Sequence, residues 1–141
     1  MVGLSIANQL LERKISNKII ILEKEEKLGL HSSGRNSGVL HAGLYYKPNT
    51  LKAKVCVEGS KRLKDWVIKR NLIINNCGKV IVPQKTDLDG QLDELLMRGK
   101  ANGANVELID NDRLKKIINC ANTTTGRAIW SPNTAAVSYT H

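Results

Sequence analysis

An α/β fold follows from three features of this 141-residue sequence. Val2, Ile6 and Leu10 recur at four-residue spacing beside a small-residue stripe of Gly3 and Ala7, the pattern of a helix packed closely on a sheet. Residues 18–23, Lys-Ile-Ile-Ile-Leu-Glu, are short, β-branched and apolar on both faces, as a buried parallel strand is. Glu23 closes that run 20 residues after Gly3, the spacing of the acid that grips a ribose in dinucleotide-binding folds. Together they predict a truncated Rossmann-like domain over residues 1–75, lacking its first strand and the first glycines of its phosphate turn. The start of an α+β domain is expected over residues 76–141.

The remaining elements follow in chain order. From Lys24 to Tyr46 neither helical nor strand periodicity is present while Gly, Ser, His and Asn accumulate, which predicts an extended loop. Beyond Pro48, Leu51, Val55, Leu63, Trp66 and Val67 mark an amphipathic helix to about Arg70, interrupted by Gly59 and closed by Asn71. Residues 72–74 and 79–82 read as two strands linked by a turn across Asn75-Asn-Cys-Gly78. Leu88, Leu92, Leu95 and Leu96 line one side of a further helix that Asn102-Gly103 ends. Residues 106–109 read as a strand, Asp110 as the cap of a short helix to about Ile118, and strand signals recur at residues 128–130 and 136–139.

Composition narrows the function. The net charge of +9 raises the question of nucleic acid, but the cations are dispersed among acids, and an aromatic content of 4% offers no stacking platform. No nucleic-acid partner is expected. The apolar run at residues 19–22 is far shorter than the roughly 20 residues that cross a bilayer. No leader or transit peptide is legible, so a cytoplasmic location is expected. Cys56, Cys77 and Cys120 fit neither a metal pair nor a disulfide framework and read as reduced, mostly buried small hydrophobes, with no metal site.

Two stretches can carry chemistry. A carboxylate at position 23 can accept both ribose hydroxyls and would repel a ribose phosphate, so FAD and NAD both fit; a solvated glutamate at a strand end is the plain alternative. Residues 31–43, His-Ser-Ser-Gly-Arg-Asn-Ser-Gly-Val-Leu-His-Ala-Gly, pack three glycines and many donors into a segment suited to a polar ligand. Glycines let the backbone approach closely, and serines, Asn36 and backbone N–H groups can surround a pyrophosphate that Arg35 helps neutralise.

Gly3-Leu-Ser-Ile-Ala7, Ile21-Leu-Glu-Lys24, Leu28 to Pro48 and Cys77-Gly-Lys-Val-Ile-Val82 carry a resemblance over nearly the whole chain. The sequence resembles the L-2-hydroxyglutarate oxidase family, FAD-dependent oxidoreductases related to D-amino-acid oxidase and glycerol-3-phosphate dehydrogenase. The resemblance implies FAD as cofactor and a small 2-hydroxy acid as substrate, with hydride passing to the flavin. It implies Gly3 as the last glycine of the phosphate turn and Glu23, with Lys24 beside it, at the ribose. Ser33, Arg35, Asn36, Ser37 and Gly38 would line the FAD. His41, followed by Tyr45, would lie toward the flavin ring and the substrate, with His41 taking the hydroxyl proton or merely hydrogen-bonding flavin or loop. His31 is expected to be structural.

The resemblance also implies what the chain lacks: the first strand, the first two glycines of the phosphate turn, and the rest of the substrate domain. FAD affinity is expected to suffer, and the chain is expected to be an inactive fragment whose partner is the remainder of the enzyme. A peripheral membrane or quinone contact is implied for the full-length family. A related amino-acid or glycerol-3-phosphate oxidoreductase, or a non-catalytic interaction fragment, remains the alternative.

Overall fold

The computed structural model describes residues 1–137. It is a mixed α/β structure whose described residues form two compact units, Met1–Ser37 and Gly38–Val137.

The first unit is built on helix α1 (Val2–Glu12). Its spacing places a small side chain, Ala7, as the buried residue of the helix, while Val2 and Ile6 stay largely in water. Residues 18–23 correct the sequence reading, because they form no strand. Ile20 and Leu22 are 87% and 91% exposed. A strand exists only when its N–H and C=O groups meet a neighbouring ladder, and among the described residues none runs beside this segment. The parallel sheet expected here is therefore absent from the described residues, whose strands pair antiparallel.

In the second unit the chain forms β1 (Val39–Leu40), α2 (Leu51–Lys69), β2 (Ile74–Asn75) and β3 (Lys79–Ile81), then α3 (Gly90–Ala101). The order continues with β4 (Glu107–Asp110), α4 (Asn111–Ile117), β5 (Arg127–Ser131) and β6 (Ala135–Val137). The strand signal at residues 136–139 is met to residue 137, and the rest lies outside the described residues. One sheet runs β1-β6-β2 and the other β3-β5-β4. The strands expected to flank one turn, β2 and β3, thus join different sheets. Sequence spacing shows the turn but not the partner, which comes from residues 127–137.

Strand β5 explains the core. It lies between β3 and β4, which pair both of its edges, and Ala128 and Ile129, on opposite faces, are both fully buried. On one face Ile129 packs with Leu92 of α3, Leu44 and Val106; on the other Ala128 joins Ile109 and Leu114 of α4, with Val80 and Trp130 against them. The alternation along Ala128, Ile129 and Trp130 is the two-residue period of a strand dividing two apolar layers. Arg127, at the start of β5, pairs with Asp89 and Asp93 at the beginning of α3 and fixes the helix on the sheet.

Helix ends are set locally. Thr50 Oγ1 accepts the Ala53 N–H at 3.2 Å, and Asn71 takes φ +52° to close α2. Asp110 Oδ1 accepts the Arg113 N–H at 2.8 Å, capping α4. Replacing Asp110 by alanine is expected to lower the second unit's stability by about 1 kcal/mol, the usual loss of an N-cap, read as a lower urea midpoint with an unchanged slope. Cys56 is half-buried, but Cys77 and Cys120 are exposed, which corrects the expectation that the cysteines are mostly buried. No described helix is long and apolar enough to cross a membrane.

Candidate functional site

Within the first unit, Met1, Gly3, Ile21, Leu22, Glu23, His31 and Ser33 line a cleft of about 440 Å³. The first N–H groups of α1 have no acceptor within the helix, which starts its ladder at Ser5 N–H to Met1 C=O, so the cleft meets a helix N-terminus suited to anionic groups. A side chain placed on Gly3 would meet nothing within 4 Å, so bare backbone opens into free space there. Ser33 Oγ lies 3.4 Å from the Met1 ammonium. Glu23 turns one carboxylate oxygen back to the Lys24 and Glu25 N–H groups, at 2.9 and 3.2 Å, which fixes the carboxylate and leaves its other oxygen open.

The other expected cofactor residues are placed differently. Asn36 donates its amide to the Ser32 and Ser33 carbonyls at 3.1 and 2.9 Å, shaping the turn rather than lining the cleft. Arg35 and Ser37 are exposed and do not line it. Lys24 reaches Glu25 at 3.4 Å, and His31 contacts the same carboxylate at 2.8 Å. Gly38 takes φ +65° at the entry to the second unit, and its C=O accepts the Val137 N–H at 2.8 Å. Gly34 was not singled out by spacing, yet it lines the cleft, and a side chain there would collide with the Gly29 carbonyl at 2.0 Å.

Within the second unit, the His41 and Tyr45 rings meet edge to face, with centroids 6.0 Å apart. Lys79, unremarked in the sequence, places its ammonium 4.6 Å from the centre of the Tyr45 ring. Burial first, and then the Lys79 charge, push the His41 pKa below its ordinary value, so the ring favours its neutral form. The Cys56 thiol, itself raised by burial, donates to the His41 carbonyl at 3.5 Å.

The loop carrying these rings is anchored to α3. Asn102 donates to the Gly43 and Tyr46 carbonyls at 3.0 and 2.8 Å, and Arg98, paired with Glu94, donates to the Tyr45 carbonyl at 3.4 Å. Gly43 takes φ +94° with Val57 2.5 Å from where a Cβ would stand, so the turn accepts no side chain. Among the described residues no group of three or more His, Cys, Asp or Glu is placed to hold a metal ion.

Comparison with known proteins places the chain in a family. A relative from Dictyostelium discoideum is 39% identical over 99% of this chain and 31% of its own length. One from Caenorhabditis briggsae is 40% identical over 99% of this chain and 32% of its own length. A human relative is 40% identical over 82% of this chain and 25% of its own length. Each is named "L-2-hydroxyglutarate dehydrogenase, mitochondrial". The chain spans about a third of the length of the first two. Those names overturn the cytoplasmic location expected from the sequence, since a leader is only one of the features that mark a compartment. The family model described as "FAD dependent oxidoreductase" matches residues 1–141, and the chain belongs to that family.

Proposed function

We propose that this chain contributes the nucleotide-binding edge and the proton-accepting histidine of an FAD-dependent dehydrogenase that converts L-2-hydroxyglutarate to 2-oxoglutarate. The activity is that of a whole protein of the relatives' length, and the mitochondrion is its expected compartment. The observation that carries the reading is the convergence of Gly3, Glu23 and Ser33, distant in sequence, on one cleft at a helix N-terminus. The cleft fits the adenosine end of FAD, with open space over Gly3 and a free carboxylate oxygen on Glu23. This is the part played by the glycine turn and ribose acid of a Rossmann-like domain.

FAD, when bound, supplies the acceptor for the hydride of the substrate carbon. Glu23 orients the ribose through its hydroxyls, and α1 faces the pyrophosphate with its free N–H groups. Arg35, Asn36, Ser37 and Gly38 belong to the same loop and serve the FAD by shaping it, with Lys24 beside the ribose acid. A neutral ring nitrogen of His41 accepts the substrate hydroxyl proton, and Tyr45 bounds the substrate position. Residues 1–75 serve the cofactor and residues 76–141 begin the part that serves the acid.

Replacing Glu23 by alanine in the whole protein is expected to weaken FAD binding about 10- to 100-fold, as for one lost charge-assisted hydrogen-bonding group. Titration followed by flavin absorbance near ~450 nm reads this directly. Unchanged FAD affinity after the substitution would remove the cleft from the cofactor site.

A further inference from the structure

In the second unit Arg62, Arg98 and Arg127 each meet a carboxylate. Lys79 does not: among the described residues its ammonium has an aromatic face beside it and no carboxylate within ion-pair distance. It is also half-buried. A cation withdrawn from water without a counter-charge is costly, and a tyrosine face offsets only part of that cost. Such a cation is a ready receptor for an anion.

Its position is held on both sides. Lys79 opens β3, where it pairs with Ser131 of β5. The Tyr45 ring beneath it is carried on the loop that Asn102 and Arg98 tie to α3. The same ring meets His41 edge to face at 6.0 Å. One tyrosine therefore sets a fixed cation beside a neutral imidazole, and a ligand reaching both must carry a negative group and a proton to give.

We infer that Lys79, held over the Tyr45 ring beside His41, receives a carboxylate of the acid that the enzyme oxidises. The assignment rests on the proposed 2-hydroxy-acid function and adds the residue that selects for acids over neutral alcohols. A small carboxylate seated there also offsets the Lys79 charge that depresses the His41 pKa, so the ring gains basicity as the acid docks. Substrate binding and proton acceptance are coupled through a single side chain.

Glutarate, a dicarboxylate with no hydroxyl to oxidise, is the probe, titrated calorimetrically into the FAD-loaded whole protein. Lys79→Met is expected to weaken glutarate binding about 10- to 100-fold, as for loss of a charge-assisted contact. Lys79→Arg should restore most of the affinity, and both variants should keep their flavin colour. KM for the hydroxy acid should rise with the glutarate Kd while kcat changes less. Glutarate affinity of the unsubstituted protein should fall as salt is raised, a measurement that needs no variant and stays decisive where Lys79→Met fails to fold. Glutarate binding that is indifferent to both salt and Lys79→Met overturns the inference. Failure of the broader reading looks different: no flavin is taken up, while glutarate binding still depends on Lys79.

Discussion

Gly78→Ala is expected to destabilise the second unit by about 2–4 kcal/mol, combining a left-handed backbone without glycine with an overpacked contact. Gly78 has φ +68°, and an added Cβ would stand 1.9 Å from the Trp130 ring. That ring is no flexible chain end. It packs on the layer formed by Ile109, Leu114 and Ala128, so it cannot swing aside without opening that layer. The position is also a crossing point. The chain passes from β2 to β3 through Gly78 and from β5 to β6 through residues 132–134, changing sheets each time, and the Gly78 N–H donates to the Thr134 carbonyl at 3.0 Å. Beside it Ser131 and Thr134 share a buried hydroxyl contact at 3.1 Å. Gly103→Ala is the matched control, since φ is +74° but a Cβ would meet nothing within 4 Å. It should cost only the backbone part, roughly 1–2 kcal/mol. Urea unfolding followed by tryptophan fluorescence separates the two, and equal losses would show that the Trp130 contact does not matter.

His41→Ala in the whole protein is expected to lower kcat by about 10²- to 10⁴-fold, the usual contribution of a positioned proton acceptor, with FAD still bound. A loss confined to KM would make His41 a binding residue only. The pH dependence follows from its surroundings. Burial and the Lys79 charge hold the His41 pKa below 6.5, so the acidic limb of kcat/KM should fall below pH 6.5. The same shift affects folding. Well above pH 6.5 the ring is neutral in both states and adds no slope. As the pH falls below 6.5 the unfolded chain takes up the proton before the folded one, so stability declines on acidification until the folded pKa is passed. His41→Gln should remove that part of the slope in urea midpoints measured from pH 7.5 to 5, about the span in which histidine titrates.

Much of this architecture is written in local signals. The caps at Asp110 and Asn102-Gly103, the leucine face of α3 and the breaks around α2 act through neighbours three or four residues away, and a linear reading finds them. Partners distant in sequence are another matter. Nothing within residues 74–81 says that β2 and β3 will seek different strands, and nothing near β1 says that its mate is Ala135-Ala136. Residues 18–23 show the opposite error. Their apolar, β-branched pattern records a capacity to be buried, but burial requires a neighbouring strand. The site divides the same way. Gly3, Glu23 and Ser33 lie within recognisable motifs and do share a cleft, whereas Lys79 is one of 22 lysines and arginines and no spacing sets it apart. Only the pairing of β3 with β5 and the anchoring of the loop bring it to the Tyr45 ring.

The Asn102 amide has mechanical meaning. Both of its hydrogens are spent on one loop, at the two ends of the turn that contains Tyr45. The end of α3 and the turn that carries Tyr45 are therefore joined as one mechanical unit. Amide protons at Leu44–Tyr46 should exchange with solvent in step with those at the end of α3, so loosening either one loosens its neighbour.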